Sequence, residues 1–159
     1  MSSDRSSIDI IAACHDIDGL RTWVSENQGI MSTELGNFWL PIVWTARGPL
    51  YAEAISRRQD GSYHQPFHLR DRVRQPLYQL GFNLLSNLDA SPAVYLLQFD
   101  LIESLTKSSS DHVEIRFDRL LPSPEEPAKA SIGVQEPNLF DCHWLCITRS
   151  PIYDLVIRG

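Results

Sequence analysis

Two histidines four residues apart, His64 and His68, stand among Arg57, Arg58, Arg70, Arg72 and Arg74 in a chain of 159 residues whose formal net charge is −6. Histidines at this spacing bind one metal when a helix stacks them on successive turns. In a strand the same step is about 13 Å, too far for shared ligation. The flanking residues choose the strand, because Pro66 and the aromatics Tyr63 and Phe67 disfavour a helix. Asp60-Gly61 is the commonest two-residue hairpin turn. With that pair at its centre, Gln59 faces Ser62, Arg57 faces His64 and Glu53 faces His68. One sheet face then carries Glu53, Arg57, His64 and His68 with no metal site. A Glu53–His68 cross-strand pair would contribute up to about 1 kcal/mol when exposed.

Between Ile55 and Leu80 the five arginines stand against Asp60 and Asp71, a window of +3 that leaves −9 for the remainder. Apart from Lys107 and Lys129, all 14 basic residues are arginines, whose planar fork suits paired and interfacial contacts better than lysine does. The expected recognition surface is therefore Arg57, Arg58, His64, His68, Arg70, Arg72 and Arg74, with Trp39 or Tyr63 beside it. Its partner would be an acidic protein surface or an anionic ligand. The acidic balance argues against a nucleic-acid partner, because neutralising phosphates takes an excess of cations.

Two further motifs carry reactive residue types. "DCHWLC" offers Cys142, His143 and Cys146, but C-x3-C is not zinc-finger spacing. Read as a strand it separates the thiols, so buried cysteines, no metal and no cofactor are expected. "IIAACHDIDGL" resembles the D-x-D-G-T start of haloacid-dehalogenase-type phosphatases, in which the first aspartate attacks phosphate and the second handles the proton. That resemblance covers about ten residues and lacks the threonine. Lys107 and Lys129 fit poorly as that family's later lysine, and no acidic pair follows to hold magnesium. The family also requires a parallel sheet, whereas the turns here pair strands antiparallel. His15, Asp16 and Asp18 accordingly read as capping or surface residues.

The elements that must position these residues follow from periodicity. "QPLYQLGFNLLSNL" places Leu77, Leu80, Leu84 and Leu88 on one stripe, a helix starting near residue 75 with Pro76 in its first turn. Leu20, Trp23 and Val24 give a shorter N-terminal helical segment that ends at Gly29. "NFWLPIVWTAR" and "PLYAEAISRR" read as paired strands, and "AVYLLQFDLIE" pairs with "HVEIRFDRLL" across the loop "SLTKSSSD". For Tyr95, Leu97, Phe99 and Leu101 to share the core with Val113, Ile115 and Phe117, facing residue numbers must sum to an even value. Gln98, Asp100, Glu114, Arg116 and Asp118 then line the other face, where Arg116 favours ion pairing over acid–base work. Val94, Leu96 and Ile102 on that same face imply that something covers part of it. The segment 122–137, with four prolines, reads as a long ordered excursion whose Glu125 and Glu126 could answer the arginines, and "DCHWLCITRSPIYDLVIRG" as one or two strands.

These elements predict one α+β domain over 1–159: a mainly antiparallel sheet of about five to seven strands, one central packed helix and the N-terminal helical segment. No run of 18 apolar residues and no basic-then-apolar leader is present, and three cysteines suit a reducing compartment, so a soluble cytoplasmic protein is expected. The chain lacks a glycine-rich phosphate loop, a G-x-S-x-G elbow and H-E-x-x-H. The functional expectation is a small binding, assembly or regulatory factor that recognises an acidic partner through the arginine patch, with self-association open and catalysis disfavoured. The alternative is a small enzyme or ligand-binding protein acting on an anionic small molecule, using Glu53/His68 or the Gln98/Asp100 face.

Overall fold

A computed structural model describes residues 10–103 and 113–158. Eight strands occur among them: β1 (Phe38–Thr45), β2 (Gly48–Tyr51), β3 (Ala54–Arg57), β4 (Tyr63–Phe67), β5 (Ala93–Glu103), β6 (Val113–Leu121), β7 (Gln135–Glu136) and β8 (Val156–Ile157). Helices α1 (Ile17–Gln28), α2 (Asp71–Asn87) and α3 (Leu139–Ile147) accompany them, and residues 10–15 are also helical. The main sheet has six antiparallel strands in the order β4-β3-β1-β5-β6, with β2 also on β1. The predicted α+β class is therefore observed. The loop expected at "SLTKSSSD" lies outside the described residues.

The sheet is buried on both faces, which is why β1 and β5 read as nearly unbroken apolar runs. Leu40, Ile42, Tyr95, Leu97 and Phe99 point to one side, against Leu20 and Val24 of α1 and Leu77, Leu80 and Leu84 of α2. Trp39, Val43, Val94 and Leu96 point to the other, against Leu139, Cys142 and Cys146 of α3 and Ala128 of the 3₁₀ helix Glu126–Ser131. Val94 and Leu96, foreseen as covered on the "polar" face of β5, thus have their cover, whereas Ile102 is exposed. Fully burying each leucine contributes about 1.5–3 kcal/mol. Pro41 explains why β2 and β3 are separate strands. Its carbonyl accepts from Ala52 N at 3.0 Å, so its missing N–H also points to that side and leaves a gap in the ladder.

Three expectations need correcting. The chain around Asp60-Gly61 is not a two-residue hairpin: Arg58 N donates to Ser62 O at 2.7 Å, Gly61 N donates to Arg58 O at 2.9 Å, and Gly61 is left-handed at φ 88°. The extra loop residue shifts the register by one, so Arg57 faces Tyr63 and Ser56 faces His64. A one-residue shift reverses every side chain. Arg57 therefore shares a face with Tyr63 and not with His64. A bulge between Ala54 and Ser56 then restores the predicted partnership lower down, and His68 Nδ1 lies 4.0 Å from Glu53 Oε1.

Helix α2 begins at Asp71, not near residue 75, which places Arg72 and Arg74 on its first turn. Pro76 lies past the first turn, where it withholds the bond that an amide would give to the carbonyl of Arg72. The third correction concerns "DCHWLC", which is helical. Asn138 caps α3 by accepting from Asp141 N at 3.0 Å. A helix brings residues i and i+4 onto one face, so Cys142 and Cys146 stack together under the sheet where a strand would have parted them. The β5–β6 register is even from Phe99 outward, as predicted, but a bulge beside Gln98 makes it odd inward of that point.

Candidate ligand-binding cleft

The N-terminal turn of helix, residues 10–15, and the start of α1 run alongside the end of β6 and the loop after it, and a groove opens between them. Its first chamber, about 360 Å³, is walled by Ile10, Ile11, Pro92, Tyr95 and Ile147 and carries the polar side chains of Ser91, Ser123, His143 and Arg149. Through Ile11, Pro122 and Ser123 it joins a chamber of about 470 Å³ that adds Cys14, His15, Arg119 and Glu125. Through His15, Ile17 and Arg119 this continues into a more polar one of about 500 Å³ bearing Asp16, Asp18, Arg21 and Glu34. An apolar chamber with a few convergent polar groups and a volume of some hundreds of Å³ is the usual form of a small-molecule site.

His143 is held in one tautomer. Val94 N donates to its Nδ1 at 3.1 Å, so Nδ1 carries a lone pair and the neutral ring must carry its proton on Nε2. Burial lowers its pKa from the ordinary value of 6.5, which keeps the ring neutral. His143, which lines the chamber, therefore carries its N–H on Nε2. It is not a free base.

Arg149 is held by its backbone. Helix α3 ends in a Schellman motif, with Ser150 N donating to Leu145 O at 2.8 Å and Arg149 N to Cys146 O at 3.0 Å. Arg149 occupies the left-handed position at φ 56°, where glycine is the residue of least cost. Among the described residues its guanidinium has no hydrogen-bonding or ionic partner. A strained residue kept at a chamber wall with an unpaired cation is the kind of outlier from which function is argued.

Deeper in the groove Arg21 and Arg119 are already matched to a carboxylate. Asp118, fully buried at the β6 bulge, accepts from Arg21 Nη2 at 2.7 Å, Arg119 Nε at 3.0 Å and Gly36 N at 2.8 Å. Gly36 O in turn accepts from Gln98 Nε2 at 2.8 Å. A Cβ on Gly36 would stand 2.7 Å from the carbonyl oxygen of Phe99, so only glycine brings the backbone this close. With three donors on it, Asp118 is a structural acceptor.

The residues singled out from sequence lie elsewhere, and most are engaged locally. Arg57 stacks over Trp39 and Tyr63, 5.1 and 5.9 Å from their ring centroids. Arg58 bonds His64 Nδ1 at 2.7 Å, Arg74 pairs with Asp71, and Arg70 and Arg72 sit at the start of α2. His64 and His68 have different partners, Arg58 and Glu53. Glu126 answers Lys129 at 2.9 Å and not the arginines. Asp16 caps α1 by accepting from Gly19 N at 3.1 Å, which is the role the sequence suggested. Among the described residues no three of His, Cys, Asp and Glu meet in metal-binding geometry, and no helix is long and apolar enough to cross a membrane. Sequence reasoning missed Arg149 and His143 as a pair because "CITRSP" was read as extended. The signal available was Asn138 as a helix cap.

No family model matches the sequence, and no curated protein matches it. Solved structures do. Glycinamide-RNase-transformylase T from Mycobacterium tuberculosis superposes with a TM-score of 0.63 at 15% identity, over 87% of this chain and 50% of its own. N5-carboxyaminoimidazole ribonucleotide synthetase from Thermus thermophilus gives 0.62 at 16% identity, over 81% and 35%. N5-carboxyaminoimidazole synthetase from Staphylococcus aureus, complexed with ADP, gives 0.59 at 11% identity, over 79% and 32%. What they share with this chain is the fold.

The chain spans between a third and a half of these longer proteins. The likeness nevertheless overturns the leading functional expectation. A small factor recognising an acidic protein through an arginine patch is supported neither by the fold's company, which is enzymes, nor by the arginines, most of which are spent on local partners.

Proposed function

We propose that the chain is a ligand-binding domain of enzyme type that takes an anionic small molecule in the groove beside α3, with nucleotides the first class to test. One observation carries the reading: an apolar chamber of about 360 Å³ has a cation, Arg149, with no partner among the described residues, and an imidazole, His143, fixed in the tautomer that carries its N–H on Nε2. Both groups donate and neither accepts, so a ligand must bring acceptors, as a phosphate or carboxylate does. The S. aureus synthetase of the same fold is complexed with ADP, which supports the nucleotide class.

The test is calorimetric titration of the protein with ADP and ATP, alongside Arg149→Ala. Saturable binding that weakens at least tenfold in the variant supports the reading. No heat and no thermal shift with either nucleotide at millimolar concentration would remove the nucleotide class. Equal binding by the variant would move the site away from α3.

A further inference from the structure

Arg149 borders two spaces. On one side it closes the chamber beside His143, and on the other it lines a smaller hollow of about 100 Å³ together with Arg47, Thr45, Ser150, Pro151 and Tyr153. Arg47 lies in the turn between β1 and β2, where Thr45 Oγ1 accepts from Arg47 N at 3.1 Å and donates to Gly48 O at 2.6 Å. Both arginines thus project from backbones that are already fixed, one by this braced turn and one by the Schellman motif. Neither guanidinium has a partner among the described residues, although the sequence holds 20 acidic residues against 14 basic ones. Among the described residues, the hollow is lined by no Asp or Glu.

At about 100 Å³ the hollow has room for a tetrahedral oxyanion. One effect opposes an anion there, since the C-terminus of α3 carries about half a negative charge. That field is blunted because the last carbonyls are occupied: Leu145 O and Cys146 O by Ser150 N and Arg149 N, and Trp144 O by Thr148 N and, at 2.9 Å, by its hydroxyl. Two full guanidinium charges exceed it. Each guanidinium presents a fork that matches two oxygens, so the pair suits a dianionic phosphate better than a single carboxylate.

We propose that Arg47 and Arg149 form a phosphate clamp, and that the ligand is a phosphate ester whose phosphate fills the small hollow while its body passes Arg149 into the apolar chamber beside His143. The inference rests on the ligand-binding reading of the cleft; it narrows anion to phosphate and adds Arg47, which lies outside the larger groove.

Wild type, Arg47→Ala, Arg149→Ala and, as a control on an exposed ion pair, Lys129→Ala are titrated with ADP by calorimetry and with inorganic phosphate by ³¹P NMR. Each clamp variant should weaken ADP binding at least tenfold and abolish the phosphate response, while Lys129→Ala matches wild type. Arg47→Lys, which keeps the charge and loses the fork, should fall between. If ADP binds and Arg47→Ala binds it as tightly as wild type, the clamp is overturned and the cleft stands. If phosphate binds through both arginines and ADP does not bind, the clamp stands and the nucleotide assignment falls. If wild type binds neither, both are overturned. Circular dichroism melts confirm that the variants fold, as substitutions at these exposed positions should allow.

Discussion

Arg21 Nη2 lies 2.7 Å from Asp118 Oδ1, a fully buried carboxylate 97 residues along the chain, and Arg21 Nε also donates to the Asp118 carbonyl at 2.9 Å. This pair fastens α1 to the inner end of β6 and so fixes the floor of the groove. Removing one partner of a buried pair strands the other charge, at a cost of about 3–5 kcal/mol. Asp118→Ala strands Arg21, the Arg119 Nε and the Gly36 amide together. Urea denaturation should show a loss in that range, and a loss under about 1 kcal/mol would mean that the pair is dispensable.

Arg149 stands where glycine would be easier. Relief of a left-handed non-glycine residue contributes about 1 kcal/mol or a little more. Arg149→Gly should therefore raise the melting temperature by roughly 2–4 °C in a chain of this size while weakening anion binding. A variant that is both less stable and no weaker in binding would contradict the strain and the role together.

His143 makes stability depend on pH. Its folded pKa lies below the ordinary 6.5, so the unfolded chain binds the proton more readily and acid favours unfolding. The contribution is complete above about pH 6.5 and declines as pH falls through that value toward the lowered folded pKa. His143→Asn keeps an acceptor for Val94 N and does not titrate. Its urea midpoint, followed from pH 7.5 to 5, should fall less steeply than that of wild type, and parallel curves would show that the imidazole contributes nothing.

The three thiols are protected. Burial pushes Cys14 and Cys142 up to about 12 and Cys146 up to about 11, with the neighbouring sulfur adding to the effect at Cys142. A thiolate is the reactive form, so the native protein at pH 8 should titrate almost no thiol with a disulfide reagent. In denaturant it should titrate all three. A fast-reacting native thiol would place one of these cysteines on the surface.

Residues with a strong local period were legible without coordinates. The stripe of Leu77, Leu80 and Leu84 specified a helix, and Tyr95, Leu97 and Phe99 against Ile115 and Phe117 specified a core face, because burial on one side imposes a period of 3.6 or 2 on the sequence. The polar cap at Asp16 and the stop at Gly29 were readable for the same reason: the first orphan amides and the left-handed C-terminal position each select a narrow set of residue types. Where local evidence was balanced, reading failed. "DCHWLCITRSP" has apolar residues at both strand and helix spacing, and the sheet face waiting to be covered at Val43, Val94 and Leu96 decided for the helix.

By its sequence alone, then, the chain determined an α+β domain, an antiparallel sheet with a cover over part of its second face, and free thiols. Tertiary structure alone decided which charges are spent and which are available. Formal charge counts Arg21, Arg57, Arg74, Arg47 and Arg149 alike, but packing gives the first three a carboxylate or an aromatic face and leaves the last two beside a hollow. An arginine's chemistry depends on what stands within a few ångströms of its guanidinium, and contacts between residues as distant as 47 and 149 are set by how the whole sheet and its helices close.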